Sequence, residues 1–136
     1  MEKEDKIVID ATDGIMGRIS AYAAKQTLLG KTVDIVNCGQ VMISGKKNVL
    51  INTYKAKLAR GGTAQKGPYI ERSVEGIFKR AVRGMLPWSK ARGREAFKRI
   101  KCHEGMPKEF ENAKMINFKE DFTKPFITLK ELIKYV

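Results

Sequence analysis

Cysteine and histidine are scarce in this sequence, which has two Cys and one His among 136 residues. Cys38 and Cys102 lie far apart and belong to no Cys-x-x-Cys pair, so neither a zinc site nor a disulfide framework is predicted. We expect two free thiols in a reducing compartment. His103 has no triad partner at a recognisable spacing. The sequence therefore predicts no metal site, no cofactor and no catalytic residue.

Long apolar runs are also missing. No stretch approaches the roughly 20 apolar residues of a membrane-spanning helix, and the charged start MEKEDK lacks the apolar core of a signal peptide. We therefore expect a cytoplasmic protein with no membrane partner. The chain is nevertheless 43% hydrophobic and 31% charged, which is enough apolar material for one folded domain over residues 1–136.

Acidic residues are rare in one region only. Residues 46–101 contain 16 Lys and Arg against three Glu, whereas the rest of the chain has 11 basic and 12 acidic residues. The net charge of +12 therefore arises entirely from this central segment. A local excess of positive charge is typical of a surface that binds nucleic acid.

The first half of the chain has the pattern of an α/β protein. Ile7–Ile9 predicts a buried strand, and Thr12 or Asp13 is available to cap a helix that Gly30 ends. Two further strands are predicted at Val33–Val36 and Val41–Ile43. Because only four residues separate them and a parallel crossover needs about a dozen, these two strands are expected to form a hairpin.

Two more helices are indicated by capping residues. Ser44 is placed to cap a helix with the apolar stripe Leu50, Ile51, Tyr54 and Leu58. Near the C-terminus, Thr128 and Glu131 match a capping box that opens a packing helix over about 128–136.

The stretch Ser73–Lys101 carries most of the functional information. Ser73 is the expected N-cap of a helix whose inward stripe is Val74, Ile77, Phe78, Ala81, Val82 and Met85. At 100° per residue, Lys79, Arg80 and Arg83 fall on the opposite side. A loop over Leu86–Arg94 is then expected to present Lys90, Arg92 and Arg94. Helical character returns over Glu95–Lys101, with Ala96, Phe97 and Ile100 expected to point inward.

Trp88 is the only tryptophan, and two roles are open for it within that loop. Its ring can stack on an unpaired RNA base, or it can anchor the loop to the protein's own core.

Three segments resemble the ribosomal protein L13 family of the large subunit. They are VIDATDGIMGRISAYAAK at 8–25, IVNCGQVMISG at Ile35–Gly45 and AVRGMLPWSKARGREAFKRIKCHEGMP at Ala81–Pro107. The similarity covers about the first 110 residues. The chain continues with EGMPKEF in place of the His-Pro-His and Gln-Gln-Pro ending of bacterial members, so it is similar to the archaeal and eukaryotic branch.

The resemblance implies a three-layer α/β/α domain with a small, mostly parallel four-stranded sheet. It also implies a structural constituent of the large ribosomal subunit that binds the subunit's RNA, supports early assembly and contacts neighbouring ribosomal proteins. It implies neither an enzyme, nor a small-molecule substrate, nor an obligate homo-oligomer. The matching basic positions are Arg83, Lys90, Arg92, Arg94, Lys98 and Arg99.

The residues expected to contact ribosomal RNA combine these positions with the charge pattern. They are Lys79, Arg80, Arg83, Lys90, Arg92, Arg94, Lys98, Arg99 and Trp88, together with Arg60 and Lys66 of the glycine-rich stretch 60–68. One alternative function is a free RNA- or mRNA-binding translational regulator. Another is a small nucleotide-binding enzyme, for which Gly14 and Gly17 lack the third glycine of a dinucleotide-binding turn.

Overall fold

A four-stranded parallel sheet organises the computed structural model, which describes residues 6–59, 73–110, 114–119 and 123–135. Its strands are β1 (Lys6–Asp10), β2 (Thr32–Val36), β4 (Ile100–Cys102) and β5 (Met115–Asn117), in the order β4-β2-β1-β5. A second, antiparallel pair joins β3 (Met42–Ser44) to β6 (Phe126–Thr128). The strand predicted at Ile7–Ile9 is confirmed.

Five helices accompany the sheets in the part of the chain that the structure describes. They are α1 (Met16–Leu28), α2 (Lys47–Ala59), α3 (Val74–Arg83), α4 (Ala91–Lys98) and α5 (Leu129–Tyr135). Among the described residues, no helix is long and apolar enough to cross a membrane. The predicted α/β class with a parallel four-stranded sheet is confirmed.

The main core lies between one face of the sheet and helices α1 and α3. Side chains alternate along a strand, so Val33 and Ile35 of β2 join this core while Val36 points to the other face. Phe78 of α3 is wholly buried in the main core. Phe110, from a short 3₁₀ turn at Lys108–Phe110, covers part of the opposite face.

The predicted hairpin between Val33–Val36 and Val41–Ile43 is wrong. Strand β2 already pairs with β1 on one side and with β4 on the other, so it has no free edge for β3. The chain instead turns at Asn37, which has a left-handed φ of 57°, and β3 pairs with β6. Local spacing could not reveal that both edges of β2 were occupied.

Asp10 stabilises this turn from the end of β1. Its Oδ1 accepts hydrogen bonds from Thr12 Oγ1 at 2.7 Å, Thr12 N at 3.0 Å and Asn37 Nδ2 at 3.2 Å. Burial alone would raise the pKa of the Asp10 carboxyl, but these hydrogen bonds favour the carboxylate and hold the pKa below its ordinary value.

Two predicted helix caps are wrong and two helix ends are confirmed. Helix α1 begins after Ile15 without a side-chain cap, so neither Thr12 nor Asp13 caps it. Ser44 is the last residue of β3 and precedes α2 by two residues. Gly30, with φ 97°, follows α1 as predicted. Thr128 Oγ1 accepts from Glu131 N at 3.3 Å at the start of α5.

The predicted stripe of α2 is confirmed where it is described. Ile51 is buried, and Leu50 and Tyr54 pack against the core; the Leu58 side chain lies outside the described residues.

Cys38 and Cys102 are free thiols, as predicted. The two side chains are neighbours, because Cys38 follows β2 and Cys102 lies on the adjacent strand β4. A hydrogen bond with Cys38, together with burial, raises the pKa of the Cys102 thiol well above its ordinary value. The thiolate form of Cys102 is therefore disfavoured.

Candidate nucleic-acid interface

Helix α3 begins where the sequence predicts. Ser73 is its N-cap, and the Ser73 Oγ accepts a hydrogen bond from Gly76 N at 3.0 Å. Glu75 lies in the first turn, where its negative charge complements the helix dipole. At the other end, Gly84 N bonds to Arg80 O at 3.2 Å, and the chain then turns away toward Pro87. The cap and the glycine thus define a helix of 10 residues.

The two faces of α3 are confirmed. Its inward positions Val74, Ile77, Phe78 and Val82 are buried and Ala81 packs against them. On the other side Arg80 is exposed, while Lys79 and Arg83 are half-buried. Met85 was predicted to point inward but is 44% exposed, because the helix ends at Arg83 and its periodicity no longer applies.

The predicted loop over Leu86–Arg94 is shorter than expected. Helix α4 begins at Ala91 with Lys90 as its N-cap residue, so Arg92 and Arg94 lie on a helix. Arg92, Arg94 and Lys98 are all exposed. The helix start could not be predicted from the sequence, because a glycine and four basic or polar residues occupy the first turns of α4.

Aromatic rings connect α3 to α4 and to the loop that precedes it. The Arg83 guanidinium carbon lies 4.3 Å from the centroid of the Trp88 ring, and Lys79 Nζ lies 4.8 Å from that of Phe97. The two rings meet edge to face, with centroids 5.2 Å apart and planes at 84°. Arg94 Nη1 donates to the Trp88 carbonyl at 2.9 Å. These contacts hold the cations in fixed positions before any ligand arrives.

The anchoring role considered for Trp88 is therefore present, and the ring is still 37% exposed. Phe97 was predicted only as an inward residue. Its position seven residues after Lys90, in a segment rich in arginine, was the one sequence signal for its role as a platform for Lys79.

Arg99 differs from the other predicted contacts because it has a partner inside the protein. Its Nη1 donates to the carbonyl of Thr27 at 2.9 Å, which lies in the last turn of α1. A cation at a helix C-terminus is electrostatically favourable. Arg99 thus ties α4 to α1, and its contact with RNA stays a prediction.

We use the name cationic surface for the remaining predicted residues of α3, the loop and α4, namely Lys79, Arg80, Arg83, Lys90, Arg92, Arg94 and Lys98. Two aromatic rings, Trp88 and Phe97, connect four of them, because Lys79 and Arg83 pack on these rings while Arg94 and Lys98 line one cleft with them. Within the described part of the chain, Arg80, Lys90, Arg92 and Lys98 have no ion-pair partner. Arg60 and Lys66 lie outside the described residues.

Gly93 allows the loop to lie directly against α4. A Cβ at this position would overlap the backbone carbonyl of Pro87, and a backbone carbonyl cannot rotate aside as a side chain does. We expect Gly93→Ala to lower the free energy of unfolding by about 1–3 kcal/mol, as other overpacking changes do. Thermal unfolding followed by circular dichroism measures the loss.

Gly17→Ala is the matched control, because nothing lies within 4 Å of a Cβ there. Gly17 is in α1, where alanine is the better helix former. The melting temperature of the Gly17→Ala variant is therefore expected to stay the same or rise slightly. Equal melting temperatures for the two variants would contradict the close packing of loop and helix.

A buried carboxylate on the other face of the sheet was missed by the sequence reasoning. Asp34 is 3% exposed and lies 3.4 Å from Lys6 Nζ and 3.3 Å from His103 Nε2. His103 therefore has a structural partner on the neighbouring strand. Within the described ranges, no three His, Cys, Asp or Glu side chains converge to hold a metal ion.

Comparisons with a family model and with known proteins indicate the same family. A family model described as ribosomal protein L13 matches residues 4–109. The large ribosomal subunit protein uL13 of Archaeoglobus fulgidus is 38% identical over 139 residues, which span 98% of this chain and 88% of the relative. The uL13 protein of Methanocaldococcus jannaschii is 40% identical over 132 residues, or 95% and 96% of the two chains. That of Picrophilus torridus is 38% identical over 131 residues, or 94% of each.

Proposed function

This chain belongs to the ribosomal protein L13 family, and from that membership we propose that it is a structural constituent of the large ribosomal subunit. In this role it binds the RNA of that subunit, supports early assembly and contacts neighbouring ribosomal proteins. The relatives are named as ribosomal proteins rather than as enzymes, which favours a structural role over the nucleotide-binding enzyme.

The observation that carries the proposal is the cationic surface. Its exposed members without an ion-pair partner, such as Arg80 and Arg92, are solvated charges available to neutralise phosphates. Arginine presents a planar fork of donors that matches a phosphate with two parallel hydrogen bonds. Because α3 and α4 both pack against α1, the surface presents a fixed arrangement of cations and recognises the shape of a folded RNA.

The buried face of α3 supports the same proposal because it fixes the position of the helix. Phe78 and Val82 anchor the helix in the core, so Arg80 and Arg83 keep their positions relative to the sheet. A rigid surface loses little conformational entropy when it binds, which favours tight association.

The affinity for large-subunit RNA is expected to fall steeply with salt. Each phosphate neutralised contributes about 0.7–0.9 to the slope of log K against log salt concentration. Five contacts, one from each exposed cation of the surface (Arg80, Lys90, Arg92, Arg94 and Lys98), would give a slope of about −3.5 to −4.5. Filter binding of a large-subunit RNA transcript over a range of salt concentrations measures it.

A slope near zero would overturn the proposal that phosphate contacts dominate. Sedimentation separates the proposed role from that of a free regulator. We expect the protein to travel with large subunits at moderate salt and to be absent from the free pool. A predominantly free protein would favour the regulator.

A further inference from the structure

A cleft lies beside the exposed tryptophan of the cationic surface. It has a volume of about 380 Å³, and its walls are Trp88, Ala91, Arg94, Glu95, Phe97 and Lys98. The volume is within the range of pockets that take small organic ligands. Two aromatic rings, two cations and one carboxylate thus border a single space next to the surface proposed to bind RNA.

The rings are held in place before any ligand binds. Arg83 packs on the Trp88 ring at 4.3 Å and is not among the residues that line the cleft. Trp88 is 37% exposed, so part of its surface stays accessible to a ligand beside this contact. The edge-to-face contact with Phe97 sets the orientation of the ring, and the hydrogen bond from Arg94 to the Trp88 carbonyl holds the backbone at this position. A preoriented ring makes stacking less costly in entropy.

The charges of the cleft indicate what kind of molecule fits. Arg94 and Lys98 line it, and Lys90 and Arg92 are exposed nearby on the same short segment, so the occupant is attached to negative charge. The aromatic walls require a flat, apolar face. An unpaired nucleobase that remains attached to its phosphate backbone meets both requirements.

Glu95 adds a preference among bases. It is one of only three acidic residues in the basic segment 46–101, and a carboxylate there opposes phosphate binding. In the wall of the cleft, however, it is placed to accept a hydrogen bond from the amino group of a base, as acidic side chains do with cytosine. Uracil has no amino group and cannot make this bond.

We propose that the cleft between Trp88 and Phe97 binds one unpaired, amino-bearing base of the RNA, stacked on the indole ring. This inference rests on the proposed function and adds a base-specific contact to a surface that otherwise recognises phosphates.

Trp88 is the only tryptophan, so its fluorescence reports on the cleft directly. The full chain is titrated with a short oligoadenylate and with a ribose-phosphate oligomer of equal length that has no bases. We expect oligoadenylate to quench the fluorescence and to bind about 5- to 150-fold more tightly, the range given by one stacked base. Oligouridylate is expected to fall between the two.

Three variants separate stacking from a merely structural role of the tryptophan. Trp88→Phe keeps an aromatic wall and is expected to keep most of the preference for oligoadenylate. Trp88→Leu removes the wall and is expected to bind both oligomers equally. Ala91→Leu fills the cleft while leaving Trp88 and Arg83 unchanged, and it is also expected to abolish the preference without lowering the melting temperature.

The inference is overturned if the wild-type chain binds both oligomers equally or if its fluorescence does not change, including the case in which neither oligomer binds. It is also overturned if Ala91→Leu keeps the full preference. A different result would contradict the proposed function, namely the absence of salt-dependent binding to large-subunit RNA. The two negative results can therefore be told apart.

Discussion

We expect the double variant Arg80→Glu/Arg92→Glu to lose at least about a hundredfold in affinity for large-subunit RNA, because a hydrogen bond to a charged group contributes about 1.5–3 kcal/mol. Both side chains are exposed members of the cationic surface and lack an ion-pair partner among the described residues. The slope of log K against log salt concentration should fall by about 1.4–1.8 if each arginine contacts one phosphate. Filter binding of the transcript measures both quantities.

The melting temperature of this variant is expected to stay within a few degrees of the wild-type value, since exposed substitutions usually change stability by about 0.5 kcal/mol or less. Arg83 is left unchanged because its guanidinium packs on Trp88. Lys130→Glu/Lys134→Glu is the matched control, with the same change in net charge on the exposed side of α5. An equal loss of RNA affinity in the control would show that overall charge matters rather than this surface.

A second large effect is expected at Phe78, on the opposite side of the same helix. Phe78 is wholly buried and is the largest fully buried side chain among the described residues. Truncation to alanine removes apolar contacts and leaves a cavity, so Phe78→Ala should lower the free energy of unfolding by about 3–5 kcal/mol. For a domain of this size the melting temperature should fall by about 10–20 °C.

Met85→Ala is the appropriate control because Met85 lies two residues beyond the end of the same helix and is 44% exposed. The free energy of unfolding of this variant is expected to change by about 0.5 kcal/mol or less. At a temperature where Phe78→Ala remains folded, its RNA affinity should be within a few-fold of the wild-type value. A large loss of affinity in the folded variant would mean that the two faces of α3 do not act independently.

Several features of the candidate site were predictable from local sequence. The 3.6-residue period of a helix places Val74, Ile77 and Phe78 on one side and Arg80 on the other, whatever surrounds the helix. Ser73 caps its own helix through a hydrogen bond to a residue three positions later. Both are short-range properties, and both are confirmed.

Other features of the site depended on residues that are distant in the sequence or hidden by composition. Arg99 was grouped with the RNA-contacting cations because of its charge and its match to the family; its hydrogen bond to the Thr27 carbonyl, 72 positions away, was not predicted. The start of α4 at Ala91 relies on the approach of Gly93 to the Pro87 backbone. Neither contact leaves a periodic pattern in the sequence.

The sequence by itself determined where the positive charge lies, which side of α3 carries it and which family the chain resembles. Charge counts and helical periodicity are local, and they need no knowledge of the fold. The tertiary structure alone decided that β3 pairs with β6 rather than with β2, and that Trp88, Phe97 and Glu95 border one cleft. Strand pairing and clefts result from competition among distant segments for the same edges and faces, which no local pattern records.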